Sequence, residues 1–599
     1  MTANIETSLF LRLMARIANT SGRVVARNYA NGVWQQYSGS DFVAHLGRSA
    51  RGWKREEATI RMHSKEKNAQ RPVLMCVGVS SFTSYAEWIA GYGALLQGFD
   101  VFFAPEQLSG RELKLCLRYF GISAIVCDPN LFAERFKNLG VPIYQTEHRT
   151  WAPGDRQGFP EIVDQFRSGA PASESPETTR LPGDLLFISI GNDGYHKKVR
   201  LSLSAFMVTA QNLLLHLDAP SWFEWRSIEM VSLSHPFAHT ARLALLLKNG
   251  VVGFMNPASD WQANLEVLRP TCLFVGPPEL QQMASHVSVI RRKSRYSSRV
   301  AMSEGLGTMR KYLEGGRSFR LSSGVHAALS GSIRKASQII VGSDFMSEAL
   351  GDLKFVVHGL TAAQKNHVRV LDRVGIPVIE TYGKTAACGM LAANTYVEPH
   401  LNLIGIPLAH VAFRLGADSV LEYSLTSPHF DDSGSWVSSG DVAQMTPFGY
   451  AIVGRKMHQI TTRGGVVISP ARFEWKLTDS EVIQQACIVG DRMPFLGALI
   501  VLSPESRVEF EQNPDAVREQ VAEIVALVNE TLPRDGTIKK FEILPTPFLE
   551  VTGEILPNGA VNRVKILETR ADAIAQIYGA TPKKQVQDEA PVSEVDKPV

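Results

Sequence analysis

The feature that most restricts the fold of this chain is a repeated alternation of short apolar runs with helical stretches. Residues 73–104 read VLMCVGVSSFTSYAEWIAGYGALLQGFDVFFA, which predicts a buried strand at 73–79, a helix at about 83–97 and a second strand at 101–104. The next segment, LKLCLRYFGISAIVCDP, repeats helix and strand around Gly121. Strands that alternate with helices form parallel βαβ units, so we predict an α/β protein.

The alternation continues through the middle of the chain and changes in its last third. A further series of helices and strands is predicted at 203–275, and two strands flank a predicted helix at 361–374. Residues 436–474 read as short β pieces with Gly turns, and 481–579 alternate like a small α+β domain.

Three segments lack this pattern. Residues 54–70 are polar, which predicts a loop, and 167–183 are rich in Ser, Pro and Gly, which predicts a surface linker. Residues 581–599 have no apolar spacing, so we predict a disordered tail.

Composition limits the class of protein. A length of 599 residues exceeds one hydrophobic core, and a net charge of +3 does not favour a nucleic-acid binder. The six cysteines form no CxxC pair, which favours buried thiols over zinc or disulfides. The N-terminus lacks a basic region before its apolar stretch, and no apolar run is long enough for a membrane span. We therefore expect a cytoplasmic protein.

One short stretch has the spacing of a phosphate-binding loop. Residues 186–199 read LFISIGNDGYHKKV, an apolar run followed by Gly191, Gly194 and a lysine pair that starts at Lys197. Backbone N–H groups and a lysine in such a loop can hold phosphate. Asp193 stands among them, and its carboxylate would repel phosphate.

Several blocks, in the same order along the chain, resemble the adenylate-forming (AMP-binding) superfamily and, within it, the long-chain acyl-CoA synthetases. The closest match is the run GSWVSSGD, GYAIVGRKMHQI and GGVVISPARFE within 434–503, where the family has an aromatic residue with TGD, then GYxxxxGRKKDxI and GGxxxSPxxIE. ETYGKTAACGML resembles the family's YGxTE segment, and LSHPFAHT and PTCLFVGPPELQQM resemble two further blocks.

The resemblance implies a large N-terminal acyl-CoA-synthetase-type domain with parallel βαβ layers and a small C-terminal α+β domain, joined by a hinge. We place the N-terminal AMP- and acyl-binding domain at 1–456 and the mobile C-terminal domain at 457–580. In the family, a carboxylic acid and ATP give acyl-AMP and pyrophosphate. The small domain then rotates, and a thiol takes the acyl group.

The residues that hold adenosine in the family are present here. Tyr382, followed by Gly383, matches the aromatic residue that stacks on adenine, and Asp441 matches the carboxylate that accepts hydrogen bonds from the ribose hydroxyls. Arg455 matches the family's contact to the ribose or α-phosphate, and Thr385 the contact to the α-phosphate. A core tyrosine and a surface Asp–Arg pair are the structural alternative for three of these residues.

The loop that binds pyrophosphate in the family is only partly matched here. Against the family loop TSGTTGxPKG, an alignment without gaps keeps Gly191, Gly194 and Lys197 but puts Asn192 and Asp193 in place of two threonines. The backbone cradle could still form. Two like charges about 4 Å apart repel by roughly 1–4 kcal/mol, so Asp193 opposes the β- and γ-phosphates. We predict a weakened hold on ATP.

Two further catalytic positions are lost. Ala386 replaces the glutamate of YGxTE that binds Mg²⁺ in the family, and alanine has no ligand oxygen. Ala560 replaces the lysine that meets the acyl carboxylate and α-phosphate, a loss that typically costs roughly 10²–10³ in rate. Lys565 could substitute only in a shifted register. His458 replaces the acid of the hinge.

Two other residues have competing interpretations. His239 matches the family histidine between the acyl pocket and the nucleotide, but a hydrogen-bonded core histidine explains it almost as well. Cys388 could meet an acyl group as a thiol, although a buried structural cysteine is the better interpretation because no neighbour in the sequence activates it.

Two functions follow from the resemblance. The first is an AMP-dependent acyl ligase of the fatty acyl-CoA synthetase type with weak or partial activity, for example only the thiol-transfer half. It would use ATP or AMP and CoA, with no ligand for Mg²⁺ at Ala386, a fatty or aryl carboxylic acid as substrate, and CoA or an acyl carrier protein as acceptor. The alternative is a non-catalytic pseudoenzyme that binds an acyl chain, AMP or CoA, or a partner protein. The fold serves both.

Survival of the adenosine contacts without the pyrophosphate grip predicts that AMP binds at least as tightly as ATP with Mg²⁺. Isothermal titration calorimetry on the purified protein measures both affinities. Tighter binding of ATP with Mg²⁺ by about tenfold, or 1.4 kcal/mol, would contradict the prediction.

Overall fold

The computed structural model describes a large part of the chain and divides it into two compact units, Met1–Met457 and His458–Val599. The described residues are 2–20, 22–30, 33–63, 71–77, 85–104, 110–127, 141–145, 182–190, 196–219, 223–255, 261–291, 350–360, 365–396, 403–430, 433–447, 449–463, 466–532, 536–549, 551–555 and 561–579.

The strands described in the first unit form four sheets. In chain order they are β1 (Val24–Ala30), β2 (Val33–Ser38), β3 (Val73–Val77), β4 (Asp100–Ala104), β5 (Ala124–Cys127), β6 (Ile143–Gln145), β7 (Leu185–Ile190), β8 (His196–Leu201), β9 (Arg226–Glu229), β10 (Val251–Phe254), β11 (Cys272–Val275), β12 (Phe355–His358), β13 (Val378–Tyr382), β14 (Ala392–Ala393), β15 (Ile406–Pro407), β16 (Val411–Leu415), β17 (Val420–Leu425), β18 (Val437–Thr446) and β19 (Gly449–Arg455).

Helices alternate with most of these strands. They are α1 (Thr2–Asn19), α2 (Gly39–His63), α3 (Tyr85–Leu96), α4 (Gly110–Phe120), α5 (Leu203–Leu217), α6 (Pro236–Leu247), α7 (Trp261–Leu268), α8 (Pro277–Arg291) and α9 (Lys365–Arg373). The predicted βαβ units are confirmed, because β3, α3, β4, α4 and β5 follow one another and their strands pair in parallel.

The largest described sheet has the strand order β6-β5-β3-β4-β7-β8 and is parallel except for its last pair. Every residue of β4 and β5 is buried, which explains why their sequences are continuous apolar runs: a parallel sheet is covered on both faces. Gly91 lets α3 lie close against β4, since a Cβ there would stand 2.3 Å from the ring of Phe103.

Two further sheets carry the candidate site. In the sheet β11-β12-β13-β14-β15 the first three strands are parallel, and the last two pair antiparallel. The sheet β16-β17-β18-β19 is antiparallel throughout. The remaining sheet, β2-β1-β10-β9, is mixed.

The second unit is a small α+β structure, as predicted for 481–579. Its central sheet has the order β22-β23-β24, in which the first pair is antiparallel and the second parallel. The described elements are β20 (Ile460–Thr461), β21 (Val467–Ile468), α10 (Pro470–Leu477), β22 (Ile483–Val489), β23 (Leu496–Leu502), α11 (Pro504–Gln512), α12 (Pro514–Asn529), β24 (Ile538–Ile543), α13 (Arg563–Thr569) and α14 (Ala571–Tyr578).

The prediction of a loop at 54–70 is wrong for its first ten residues, because α2 continues to His63. Leu46, Trp53 and Ile60 are spaced by seven residues and are at most 1% exposed, so they lie on one buried face of this helix. The polar residues between them form the outer face, where Arg61 pairs with Glu57 one turn away. The polar composition therefore concealed an amphipathic helix.

Other predictions fall outside the described residues, namely nearly all of the linker at 167–183 and the whole tail at 581–599. All six cysteines are buried and free of disulfides. In the part of the chain that the structure describes, no helix combines the length and apolar character needed to cross a bilayer.

Glu554 is a buried carboxylate that holds part of the second unit together. It accepts hydrogen bonds from Arg570 Nε at 2.6 Å, Thr569 Oγ1 at 2.6 Å and Thr552 Oγ1 at 2.8 Å. Burial alone would raise the pKa of Glu554, but these hydrogen bonds outweigh burial and lower the pKa to about 2. A carboxyl group with a lowered pKa stabilises the fold above its ordinary pKa of 4.5, and this contribution is lost as the pH falls towards 2.

We expect Glu554→Gln to lower the urea midpoint of the second unit at pH 7 by the equivalent of about 2 kcal/mol, the worth of hydrogen bonds to a charged group. The difference from wild type should shrink as the pH falls from 4.5 to 3. Far-UV circular dichroism of the full chain in urea measures both. Glu568→Gln, at an exposed pair with Lys565, is the control and should change stability little. A difference that is independent of pH would contradict the assignment.

Candidate functional site

The YGKT motif lies at the carboxyl end of β13. Tyr382 is the last residue of the strand, and Lys384 precedes a short 3₁₀ turn, Thr385–Ala387. Gly383 between them is required by backbone packing, because a Cβ there would stand 1.9 Å from the carbonyl oxygen of Gly389. The motif thus forms a tight turn at the carboxyl end of a parallel strand, a usual location for ligand sites in α/β proteins.

Asp441 reaches the same place from another sheet. It lies on β18, directly opposite Arg455 on the antiparallel strand β19. Arg455 Nε lies 3.3 Å from Asp441 Oδ1, with the arginine side chain 54% exposed and the aspartate side chain 6% exposed. The backbone N–H of Asp441 donates to Ser439 Oγ at 3.1 Å, which fixes the orientation of the residue.

Two more donors meet the second oxygen of Asp441. The hydroxyl of Tyr382 donates to Oδ2 at 2.6 Å, and the ammonium of Lys384 lies 2.6 Å from the same atom. The Lys384 side chain is 21% exposed, and its Nζ lies 5.8 Å from the centre of the Tyr382 ring. The structure therefore brings together Tyr382, Asp441 and Arg455, all predicted from sequence, and adds Lys384.

Lys384 was missed because it occupies the variable position of YGxTE. The signal in the sequence was a lysine between the motif's Tyr-Gly and its threonine, but nothing there indicated its partner. Burial raises the pKa of the Tyr382 hydroxyl, and the nearby charge of Asp441 raises it further, so this hydroxyl stays protonated as a donor. Burial lowers the pKa of Lys384, and Asp441 partly offsets that effect.

The predicted phosphate loop lies in the sequence between strands β7 and β8. Strands β7 and β8 are antiparallel, with Ser189 opposite Lys197, and Lys197 is exposed. Cα atoms of both strands lie within 8 Å of Cα atoms in the turn Thr385–Ala387, so the hairpin and the YGKT motif are neighbours. Gly191, Gly194, Asn192 and Asp193 lie outside the described residues.

The position of the metal-binding glutamate carries no ligand. Ala386 is exposed and Thr385, its neighbour in the turn, is half-buried. Among the described residues no group of three or more His, Cys, Asp and Glu side chains could hold a metal ion. Proteins usually bind Mg²⁺ through one or two carboxylates, and the turn Thr385–Ala387 has none, so its residues do not fit this ion.

His239, predicted to be catalytic, lies in α6 and is fully buried. Its Nδ1 is 3.0 Å from the hydroxyl of Tyr92, and its Nε2 is 2.8 Å from the carbonyl oxygen of Leu233. Burial and the charge of Arg242 lower the pKa of His239 to about 3, which makes the ring neutral at physiological pH. Both ring nitrogens have partners, and its position beside an acyl pocket stays a prediction.

Cys388 is fully buried behind the turn, and its carbonyl oxygen accepts a hydrogen bond from Thr240 Oγ1 at 2.7 Å. Burial raises the pKa of its thiol, so the reactive thiolate is disfavoured. This geometry supports the structural interpretation of Cys388.

The second unit holds the remaining motif residues. Arg563 Nη2 lies 2.5 Å from Glu474 Oε1, so this largely buried pair connects the segment that follows Ala560 with the acidic residue of GGVVISPARFE. Lys565 lies in α13 and pairs with Glu568 at 3.2 Å. Ala560 lies outside the described residues.

Comparison with protein families finds two matches that together cover most of the chain. Residues 75–424 match the family model described as AMP-binding enzyme, and residues 458–582 match that of the AMP-binding enzyme C-terminal domain.

Curated relatives include long-chain-fatty-acid–CoA ligase FadD15 of Mycobacterium tuberculosis, which is 30% identical over 233 residues. That match covers 34% of this chain and 38% of the ligase. Fatty acyl-CoA synthetase B of Dictyostelium discoideum is 22% identical over 509 residues, covering 76% of this chain and 71% of the relative.

Solved structures share the fold at low sequence identity. O-succinylbenzoate CoA synthetase from Bacillus subtilis, in complex with the acyl-adenylate intermediate OSB-AMP, has a TM-score of 0.60 at 14% identity, covering 92% of this chain and 97% of that one. The A-PCP didomain of the carboxylic acid reductase from Segniliparus rugosus, in complex with AMP, has a TM-score of 0.63 at 14% identity, covering 95% and 81%.

The ion pairs around Asp441 make a prediction about stability. Asp441→Asn leaves Lys384 partly buried without its counter-charge, and removing one partner of a buried pair typically costs about 3–5 kcal/mol. We expect the free energy of unfolding of the first unit to fall by that order in urea. Asp418→Asn is the matched control, because Asp418 pairs with Lys456 at 2.9 Å with both side chains more than half exposed. Equal stability of the two variants would contradict the role of Asp441.

Proposed function

The chain belongs to the AMP-binding enzyme family, and from that premise we propose that it is an acyl ligase of the fatty acyl-CoA synthetase type whose own adenylation step is weak. The observation that carries the proposal is the buried carboxylate of Asp441, held by Tyr382 and Arg455, beside a turn whose Ala386 offers no oxygen to a metal. Among the described residues, the site has groups suited to a nucleoside, while Ala386 offers no side-chain oxygen to a metal that triphosphate chemistry would use.

In the proposed reaction, a carboxylate oxygen of the acid attacks the α-phosphorus of ATP, forming acyl-AMP and releasing pyrophosphate. The thiol of the acceptor then attacks the acyl carbon, forming the thioester and releasing AMP. Tyr382 would stack on adenine and Asp441 would accept hydrogen bonds from the ribose hydroxyls. Thr385 and Arg455 would contact the α-phosphate region.

The first step is the one we expect to be slow. Negative charge builds on the α-phosphate as the acid attacks, and preorganised cations normally stabilise it. Ala560 supplies no charge, and the carboxylate of Asp193, if aligned with the family loop, would oppose the pyrophosphate. No step is assigned to Mg²⁺, because the residues at the turn do not fit it. Thiol transfer from a preformed acyl-AMP needs neither the missing lysine nor the pyrophosphate grip.

The acid is proposed to be a fatty acid and the acceptor CoA, because relatives are named as long-chain-fatty-acid–CoA ligases. An acyl carrier protein is the other acceptor to consider, since a structural neighbour is an adenylation domain joined to a carrier domain. An aryl acid stays a candidate substrate, because the neighbours at 14% identity bear only on the fold.

A non-catalytic binding protein is the second candidate function. It is favoured by the contact of Lys384 with Asp441 at 2.6 Å, which occupies a carboxylate oxygen that the ribose would use. Such a protein would bind AMP, CoA or an acyl chain without turnover, or regulate a partner enzyme.

Carboxylate-dependent pyrophosphate exchange separates the two functions. We expect weak exchange by wild type with palmitate, and exchange about 10²-fold faster in the double variant Ala386→Glu, Ala560→Lys, which restores one metal ligand and one charge donor. The control pairs Ala386→Glu with Val564→Lys, because Val564 is 65% exposed on α13 and receives the same charge elsewhere.

Thioester formation from supplied palmitoyl-AMP and CoA completes the test. For a ligase with a weak first step, we expect wild type to form the thioester from palmitoyl-AMP while showing little pyrophosphate exchange. Robust pyrophosphate exchange by wild type, unchanged in the double variant, would overturn the proposal that adenylation is weak. Absence of thioester formation, together with binding of AMP, would favour the non-catalytic protein.

A further inference from the structure

The hydrogen-bonding capacity of Asp441 is the starting point. An ionised carboxylate has two oxygens with about four lone-pair positions, two on each oxygen. Oδ2 already meets the donors of Tyr382 and Lys384, both at 2.6 Å, while Oδ1 lies 3.3 Å from Arg455 Nε. A ribose diol that bridges both oxygens would therefore find Oδ2 full, and one of its two donors has to leave.

Lys384 is the donor able to leave. The Tyr382 ring is attached to the end of β13, and its backbone carbonyl oxygen accepts a hydrogen bond from the N–H of Leu391 at 2.6 Å. The Lys384 backbone is also held, because its carbonyl oxygen accepts from the N–H groups of Ala387 and Gly389, both at 3.0 Å. Its ammonium, however, stands on a flexible four-carbon stem that can rotate away while the backbone stays in place.

A displaced Lys384 needs another anion. Burial already lowers its pKa, which means that the charged form is costly here without a counter-charge. Thr385, the next residue, is the position that meets the α-phosphate under the proposed function, so a phosphate bound there lies beside the lysine. Adenosine offers no such anion, whereas AMP and acyl-AMP do.

We propose that Lys384 determines ligand selectivity: it occupies Asp441 until the ribose displaces it, and then pairs with the α-phosphate of AMP or of an acyl-adenylate. This inference rests on the proposed function, because it takes the ribose and α-phosphate positions from it. Lys384 thereby excludes unphosphorylated nucleosides, and it brings a positive charge to the turn where Ala386 provides no metal ligand.

Titration calorimetry of the full chain with AMP and with adenosine tests the proposal. Wild type should prefer AMP by about a hundredfold. In Lys384→Met, adenosine should bind about tenfold more tightly than to wild type, because no ion pair has to be broken, and AMP about tenfold more weakly, because its phosphate loses a partner. Each step corresponds to about one charge-assisted hydrogen bond. The preference for AMP should therefore disappear.

Two further variants test whether the changes in AMP and adenosine affinity are specific to the charge of Lys384. Lys384→Gln removes the charge but keeps a hydrogen-bond donor, and it should shift the preference in the same direction if Lys384→Met folds poorly. Lys248→Met removes one positive charge from the end of α6, where Lys248 lies over the ring of Trp225, and should leave both affinities unchanged.

The outcomes separate this inference from the proposed function. Equal changes in the affinities of AMP and adenosine on Lys384→Met would mean a packing role and overturn the inference alone. Adenosine that binds wild type as well as AMP would also overturn it. Wild type that binds neither ligand, with adenosine binding to Lys384→Met, would support occlusion by Lys384 and overturn nucleotide use by the native protein. Failure of every protein to bind either ligand would overturn both.

Discussion

The carboxylate of Asp441 is the interaction on which the candidate site depends. It accepts a hydrogen bond from Tyr382 and pairs with Lys384 at the end of strand β13, and it pairs with Arg455 within its own sheet, so a single acidic group joins two sheets of the first unit. A nearly buried carboxylate is tolerated only when such donors compensate for the loss of water. The same group that would recognise a ribose therefore also holds the site together.

Backbone packing places these donors. A side chain at Gly383 would clash with the backbone of Gly389, so glycine is required where the chain turns after β13. Parallel strands β11, β12 and β13 end at the same edge, where the hairpin of β7 and β8 also approaches. The site is thus an outcome of strand order, since its groups come from distant parts of the chain.

The proposed function rests on which residues match those of the family's site and which do not. Recognition of a nucleoside needs an aromatic ring, which is neutral, and one carboxylate, which here is paired with Lys384 and Arg455. Adenylation needs additional charges to stabilise a pentavalent phosphate, and Ala386 and Ala560 provide none. The two sets are different residues, so replacement of the second set would leave the first intact. Lys384 adds a further feature, because its ammonium already pairs with one oxygen of Asp441 at 2.6 Å.

The order of strands and helices, the two-part architecture and the identity of Tyr382, Asp441 and Arg455 could be predicted from the sequence, because periodicity and contiguous motifs are local signals. The helix at 54–63 was missed because seven-residue spacing of its core residues was hidden among charges. The contact of Lys384 with Asp441 could not be predicted from the sequence, because Asp441 lies far along the chain. Tyr382, which contacts the same carboxylate, is separated from it by 59 residues. The sequence by itself determined the order of the elements and indicated Tyr382, Asp441 and Arg455 as candidate groups. Only the tertiary structure decided which of them touch, because a hydrogen bond depends on distance and direction in space, and those are determined by the packing of two sheets.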